Sequence, residues 1–328
     1  MVNMATMRMK QLGLWVLGCM IMILTGCQTP THLAPVVVDA QAHALNQSVA
    51  TRIKQQQKRP IVALVLGSGG ARGYAHIGVI EVLEQHGIRP DFIVGTSAGS
   101  IVGSIYASGK SATELRDLAL HLKASDVRDV EVSLKGFFDG KKVEDYINKQ
   151  VQNTPLQKLK IPMYVVATEL KDGKRTVFDF GNTGQAVRAS TAIPSMFIPT
   201  KIQGVEYVDG GLVSPVPVQV ARELGADVVI AVDILAQPIY TQTDNIWGLF
   251  NQNINIMQGR LADIELQDAD VVIQPDLREK AHIFDVKGRT MTIQAGIDAA
   301  QQKLADIQWS IQYKADQIQQ QQQSAYAN

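Results

Sequence analysis

Gly95-Thr96-Ser97-Ala98-Gly99 is the segment of this 328-residue chain whose residue types and spacing speak most directly of chemistry. It follows the apolar run Asp91-Phe92-Ile93-Val94 and opens a helical stretch, Ser100 to Ala107. G-x-S-x-G between a strand and a helix is a nucleophile elbow. The turn is so tight that Gly95 and Gly99 must lack bulk, and the Ser97 hydroxyl then projects from the end of the sheet. The helix behind it aims backbone N–H groups and a positive dipole end at the reacting centre. The same five residues would also suit a plain glycine-lined turn, so two further segments decide.

The first lies upstream. Ile61 to Leu66 is continuously apolar and rich in β-branched residues, which predicts a buried parallel strand. Gly67-Ser68-Gly69-Gly70-Ala71-Arg72-Gly73 follows, then a helix from Tyr74 to about His86. Such a loop presents backbone N–H groups to an anion. The dinucleotide fingerprint G-x-G-x-x-G fails, because Arg72 stands at its sixth position and Gly95, not an acid, closes the second strand. The G-K-[ST] ending of a P-loop is absent too. An oxyanion hole needs only two preorganised N–H groups near the serine, each worth roughly 3 kcal/mol in the transition state. The second segment is Val208-Asp209-Gly210-Gly211, an acid at the carboxyl end of a strand-like run. Alone it reads as an Asx turn; beside the other two it reads as the acceptor of the serine proton.

In this order the three segments resemble the patatin-like phospholipases. Ala189-Ser190-Thr191-Ala192-Ile193-Pro194 is similar to a family segment preceding the catalytic aspartate. Tyr74-Ala75-His76-Ile77-Gly78-Val79 and Phe138-Asp139-Gly140-Lys141 resemble the bacterial branch related to neuropathy target esterase. The likeness runs from about Pro60 to Leu304; Ser68 departs from the glycine that opens the family's first loop. The resemblance implies a three-layer α/β/α fold with a mostly parallel central sheet. It also implies a Ser97–Asp209 dyad without histidine, beside an oxyanion hole built from the loop residues Gly69, Gly70, Arg72 and Gly73. The substrate would be a membrane lipid or lysophospholipid, and no metal or other cofactor would be needed.

A histidine triad is the rival chemistry. Of six histidines, only His282 follows Asp209, as the α/β-hydrolase order requires, and it reads as an ordinary loop residue. An inactive lipid-binding relative is the non-enzyme alternative, against which the intact Ser97 and Asp209 count. Acyl transfer shares the first half-reaction.

The N-terminus bears on location. Arg8 and Lys10 precede an apolar run from Leu12 to Leu24, shorter than the roughly 20 residues that span a bilayer. Leu24-Thr25-Gly26-Cys27 resembles the bacterial lipobox, which implies a signal peptide over 1–26 and lipidation of Cys27. Cys19 and Cys27 are the only cysteines, so the processed chain would hold no free thiol. Gln28, where inner-membrane lipoproteins carry aspartate, implies a lipid-anchored protein of the cell envelope, on the outer membrane facing the periplasm.

Thirty-one basic and 31 acidic residues give zero net charge, which argues against nucleic acid and against strong attraction to anionic lipid. No segment points to a particular protein partner. A hydrophobic content of 46% suits one large core. The expected organisation is a lipidated N-terminus and linker over 27–59, a hydrolase domain over 60–310, and a glutamine-rich tail over 311–328, disordered or a fraying helix. Within the domain, strands alternate with helices, which predicts a sheet covered on both faces. Ser111-Ala112-Thr113-Glu114 predicts a capping box, Lys171-Asp172-Gly173-Lys174 a hairpin turn and residues 290–312 a long helix. Phe137-Phe138 reads as core rather than as the rim of an acyl site. Asp179 and Asp233 read as solvated strand-end carboxylates.

Overall fold

The computed structural model describes residues 59–133, 135–235, 237, 243–277 and 288–326. Cys27, the signal and linker segments and His282 lie outside the described residues.

The chain enters through β1 (Val62–Leu66), every residue of which is buried. A 3-10 turn over Gly70–Gly73 leads into α1 (Tyr74–Gln85). Then come β2 (Phe92–Thr96) and α2 (Ala98–Ala107). Next is α3 (Ala112–His121), opened by the expected capping box, with the Ser111 hydroxyl taking the Glu114 N–H and the Glu114 carboxylate taking the Ser111 N–H. The short α4 (Ala124–Val127) precedes a small hairpin, β3 (Val130–Ser133) and β4 (Gly136–Phe138). After α5 (Lys141–Gln150) the chain forms β5 (Met163–Glu169) and turns back as β6 (Arg175–Phe178) at the predicted hairpin, where Gly173 takes φ +73°. The rest is α6 (Thr183–Ser190), β7 (Thr200–Ile202), β8 (Val205–Asp209), α7 (Val218–Glu223), β9 (Val228–Val232), α8 (Ile246–Glu265), β10 (Val271–Ile273) and α9 (Arg289–Tyr326).

Eight strands form one sheet in the order β10-β9-β1-β2-β5-β8-β7, with β6 on the free side of β5. The first five of these strands are mutually parallel, and β6, β8 and β7 join antiparallel. Alternation along β1 divides the core. Val62, Leu64 and Leu66 face the cluster packed by α1, α2, α3, α5, α6 and α9, while Ala63 and Val65 face a second cluster packed by α7 and the end of α8. The result is the expected three-layer arrangement. One glycine pair sets the outer packing: a Cβ on Gly78 would lie 2.0 Å from the Ile293 carbonyl oxygen, and one on Gly296 would lie 2.0 Å from that of Ala75. The backbones of α1 and α9 touch there, which no side chain at either position would permit.

Three sequence expectations change. α9 continues past residue 310, through the glutamine run to Tyr326, so that run is helix and the boundary placed at 310 falls inside one element. Phe137 is exposed, and half-buried Phe138 packs on Phe197 at 5.5 Å rather than in the core. Asp179 is buried near Tyr164, whose hydroxyl pKa burial and the nearby carboxylate raise.

Candidate active site

Strand register brings the two key side chains together. Thr96 at the end of β2 pairs with Val166 of β5, and Asp209 at the end of β8 pairs with the next residue, Ala167. Since β6 occupies the other side of β5 at these positions, β2 and β8 meet end to end along one side. Ser97, the residue after β2, therefore abuts Asp209.

The elbow is a tight and strained turn. Ser97 adopts φ 52°, ψ −119°, a region that costs a non-glycine residue on the order of 1–3 kcal/mol. A Cβ on Gly95 would meet the Gly99 carbonyl oxygen at 2.7 Å, and one on Gly99 would meet that of Leu66 at 2.0 Å. The strain is held by polar contacts. The Ser97 N–H donates to Ser190 Oγ at 2.8 Å, and Ser190 Oγ donates to the Val166 carbonyl at 2.6 Å. Thr96 Oγ1 donates to the Ser214 carbonyl at 2.9 Å. Two residues after Ser190, the Ala192 carbonyl accepts the Asp209 N–H at 2.9 Å. The 189–194 segment thus ties both halves of the pair to one support.

Ser97 Oγ donates to Asp209 Oδ2 at 2.6 Å, and the Gly211 N–H donates to Oδ1 at 2.7 Å. Asp209 is 3% exposed. Burial pushes its carboxyl pKa up to about 6, against the opposing pull of the Ser97 and Gly211 hydrogen bonds. A basic carboxylate in contact with a serine hydroxyl, both shielded from water, is equipped to take its proton.

The glycine loop is pinned at its ends. Gly67 N–H donates to Val232, Ser68 N–H to Pro215 at 2.7 Å, and buried His76 Nε2 to the Gly67 carbonyl at 2.9 Å. Burial drives the His76 pKa down to about 4, so this imidazole is neutral at physiological pH. Among the described residues no acceptor takes the N–H of Gly69 or Gly70. A Cβ at Gly69 would lie 2.7 Å from Ile234 Cδ1, and Gly70 takes φ +58°. The structure departs from expectation at the other end of the loop. The Arg72 N–H closes a turn on the Gly69 carbonyl at 3.2 Å, and its Nε donates to the Ile234 carbonyl at 2.8 Å. Arg72 is therefore a strut whose backbone N–H and Nε are taken by protein carbonyls; burial lowers its pKa to about 10, which still leaves it cationic. Gly73 serves contact, since a Cβ there would lie 2.8 Å from that of Ala98.

The pair sits between two spaces. On one side a cavity of about 210 Å³ runs from Ser97 among α1, α2, α3 and α5, walled by residues such as Ile77, Val102, Leu115 and Ile147. On the other a pocket of about 40 Å³ touches Ser97 and Asp209 and is walled by Gly69, Gly70 and the α8 amides Asn251, Asn255 and Gln258.

Sequence reasoning missed two supports. Ser190 was seen only as part of a motif. Glu265 carried no signal: it is buried at the end of α8, where its carboxylate accepts from Ser214 Oγ and, at 3.1 Å, from the Val216 N–H. Burial raises its pKa to about 7. The segment it grips touches the elbow through the Ser214 carbonyl, the glycine loop through the Pro215 carbonyl and the aspartate turn through the Ser214 N–H. Of the other histidines, His86 and His121 bond backbone carbonyls of their own helices through Nδ1.

A strained serine at the end of a mostly parallel sheet, a buried aspartate bonded to it and an apolar cavity at its side make up the candidate site of a three-layer α/β/α domain. The sequence model described as patatin-like phospholipase matches residues 64–222, so this segment is a patatin-like phospholipase domain, and its relatives include proteins named for the NTE family. An uncharacterised NTE family protein of Mycobacterium tuberculosis is 38% identical over 181 residues, 53% of this chain and 49% of that one. Human patatin-like phospholipase domain-containing protein 6 is 32% identical over 207 residues, 59% of this chain and 15% of that one. A lysophospholipase of Cryptococcus neoformans is 32% identical over 248 residues, covering 64% and 15%. The chain thus spans about half the length of the mycobacterial relatives it matches. Among solved structures, VipD from Legionella pneumophila superposes with a TM-score of 0.51 at 14% identity, over 76% of this chain and 67% of that one, a likeness of fold.

Proposed function

We propose that the protein is a serine lipid-acyl hydrolase of phospholipase A or lysophospholipase type. The observation that carries this reading is the 2.6 Å hydrogen bond from Ser97 Oγ to Asp209 Oδ2 at the mouth of an apolar cavity. Asp209 takes the hydroxyl proton as Ser97 Oγ attacks the ester carbonyl carbon. The carbonyl oxygen becomes an oxyanion held by the Gly69 and Gly70 N–H groups. The tetrahedral intermediate collapses, the alcohol leaves with the proton from Asp209, and the acyl group stays on Ser97. Water then gives a proton to Asp209 as it attacks the acyl-enzyme, and Asp209 returns that proton to the leaving Ser97 Oγ, which releases a fatty acid and restores the hydroxyl. The apolar cavity takes the acyl chain, while the amide-lined pocket takes the headgroup side and the water. Both Asp209 oxygens already have donors, Ser97 Oγ and Gly211 N–H, which favours a dyad over a triad through His282.

The cellular setting belongs to the same proposal. Cleavage before Cys27, lipidation of its thiol and sorting to the outer membrane would place the domain in the periplasm, tethered beside its substrate. The test is product analysis on a panel of phospholipids and lysophospholipids, with the Ser97→Ala chain as control and a fluorophosphonate probe for Ser97. Fatty acid release and labelling should appear in the parent only. Labelling that persists in Ser97→Ala would refute the assignment. A palmitate analogue should label the parent and not Cys27→Ala.

A further inference from the structure

Helix α8 is amphipathic in reverse. Its inward face carries the amides Asn251, Asn255 and Gln258 that wall the pocket beside the dyad, and Glu265, which grips the 214–216 segment. Its outward face carries Ile246, Leu249, Ile256, Met257 and Ile264, with Ile246 79% and Met257 60% exposed. The positions 246, 249, 253, 256, 257, 260 and 264 follow the three-and-four spacing of one helical face, and only Asn253 and Arg260 on it are polar. From Ile246 to Gly259 the helix contains no charged residue. Water is a poor environment for such a face, and a monomer rarely leaves so contiguous an apolar strip uncovered.

We infer that the outer face of α8 docks on the surface of a lipid bilayer and holds the catalytic pocket against it. The inference rests on the lipid-hydrolase reading above, because a substrate of that class resides in a bilayer. Three observations choose the bilayer as occupant. The apolar face and the catalytic pocket share one helix, whose inward face walls the pocket that touches Ser97 and Asp209, so docking by the outward face sets how the pocket stands to the bilayer. The face is uncharged over its first fourteen residues, Ile246 to Gly259, which suits a zwitterionic headgroup layer rather than an acidic or basic protein patch. And α8 is a 20-residue helix apolar along one face only, the form that lies in an interface plane rather than crossing it. Met257 and Leu249 would enter the headgroup–acyl boundary, while the amides on the inward face of the helix stay beside the reacting ester. A tether at Cys27 would bring the domain near the membrane without orienting it; α8 would orient it.

The experiment uses the full chain in phosphatidylcholine proteoliposomes. A Met257→Cys chain is labelled with an environment-sensitive fluorophore, and lipids carrying a quencher at defined depth report insertion. Gln301→Cys, exposed on α9 over the opposite sheet face, is the control, and the parent chain supplies the background from Cys19 and Cys27. The label at 257 should be quenched and that at 301 should not. In parallel, the Leu249→Gln/Ile256→Gln/Ile264→Gln chain should hydrolyse vesicle phospholipid at least tenfold more slowly than the parent. It should keep its rate on a soluble short-chain ester within twofold, because none of the three residues lines the pocket. A label at 257 as water-exposed as that at 301, or unchanged vesicle hydrolysis by the triple variant, overturns the inference. A dimer that the triple variant abolishes, without quenching in the parent, makes a second copy the occupant and overturns it equally. If the parent hydrolyses neither substrate, the enzymatic reading fails while the quenching still decides the docking.

Discussion

The two sides of the Ser97–Asp209 pair are built in opposite ways. Toward α1, α2, α3 and α5 the wall is mostly apolar side chains, such as Ile77, Val102, Leu115 and Ile147, and an open cavity remains. Toward the 214–216 segment and α8 the wall is a chain of hydrogen bonds. It runs from Glu265 to Ser214 and Val216, from the Ser214 carbonyl to Thr96, and from the Pro215 carbonyl to Ser68. Directional bonds fix atoms to within tenths of an ångström, which proton transfer demands. Aliphatic walls fix only volume, which is enough to sort acyl chains. Under the proposed function, chemistry and acyl selectivity therefore occupy separate sides of one residue pair, and each can be perturbed while the other is read.

The largest break comes from the pair itself. Ser97→Ala and Asp209→Asn should each lower hydrolysis of a short p-nitrophenyl ester by about four orders of magnitude or more, and the double variant should lose little beyond either, since residues acting as a unit are non-additive. His121→Ala and His282→Ala should retain most activity. If His282→Ala matches Ser97→Ala, the triad replaces the dyad.

A smaller break comes from the glycine loop. Gly70 takes φ +58°, so Gly70→Val strains the backbone whose N–H would hold the oxyanion in the proposed reaction. Turnover should fall about 100-fold, the usual loss for one donor, with KM changed far less. Unchanged turnover in a folded variant would remove this loop from the site.

The pH profile sharpens the comparison further. Asp209 must be ionised to accept the proton, and burial places its pKa at about 6. kcat/KM should therefore rise with pH through about 6 and fall roughly tenfold per unit below it. Asp209 contacts nothing on the aliphatic side that titrates, so acyl-chain preference should not move across this range. A profile flat from pH 5 to 7 would mean that another group is the base.

Local spacing made half of this site legible. The elbow glycines must lie within two residues of Ser97, and Asp209 needed only a strand end before two glycines. What could not be read joins residues far apart in the chain. Ser190 supports Ser97 from 93 positions away, and Glu265 reaches Ser214 across 51. Neither partner is marked by its neighbours. The fold itself was legible because its parallel strands are continuously apolar. The C-terminal helix was cut short at residue 312 because glutamines were read for their polarity, although an unbranched side chain is also a good helix former. Phe138 was assigned to the core on frequency alone, whereas its partner Phe197 lies at the edge of the cavity.

The smallest effect tests the aliphatic side by itself. Burying one methylene contributes about 0.8 kcal/mol, close to a fourfold gain in kcat/KM. Along a series of p-nitrophenyl esters, kcat/KM should climb by at most this factor per methylene until the cavity is full, then level. Ala119 is a small residue on its wall, carried by α3 and remote in kind from the hydrogen-bonded side. Ala119→Phe places a ring in the cavity, so the plateau should arrive several methylenes earlier. The acetate ester, which never reaches that depth, should be hydrolysed within twofold of the parent rate, and the pH profile should keep its midpoint near 6. An Ala119→Phe chain that is folded and shows an unshifted plateau would place the acyl chain elsewhere. A shifted midpoint would show that the two sides are coupled, and that the aliphatic wall helps to set the base.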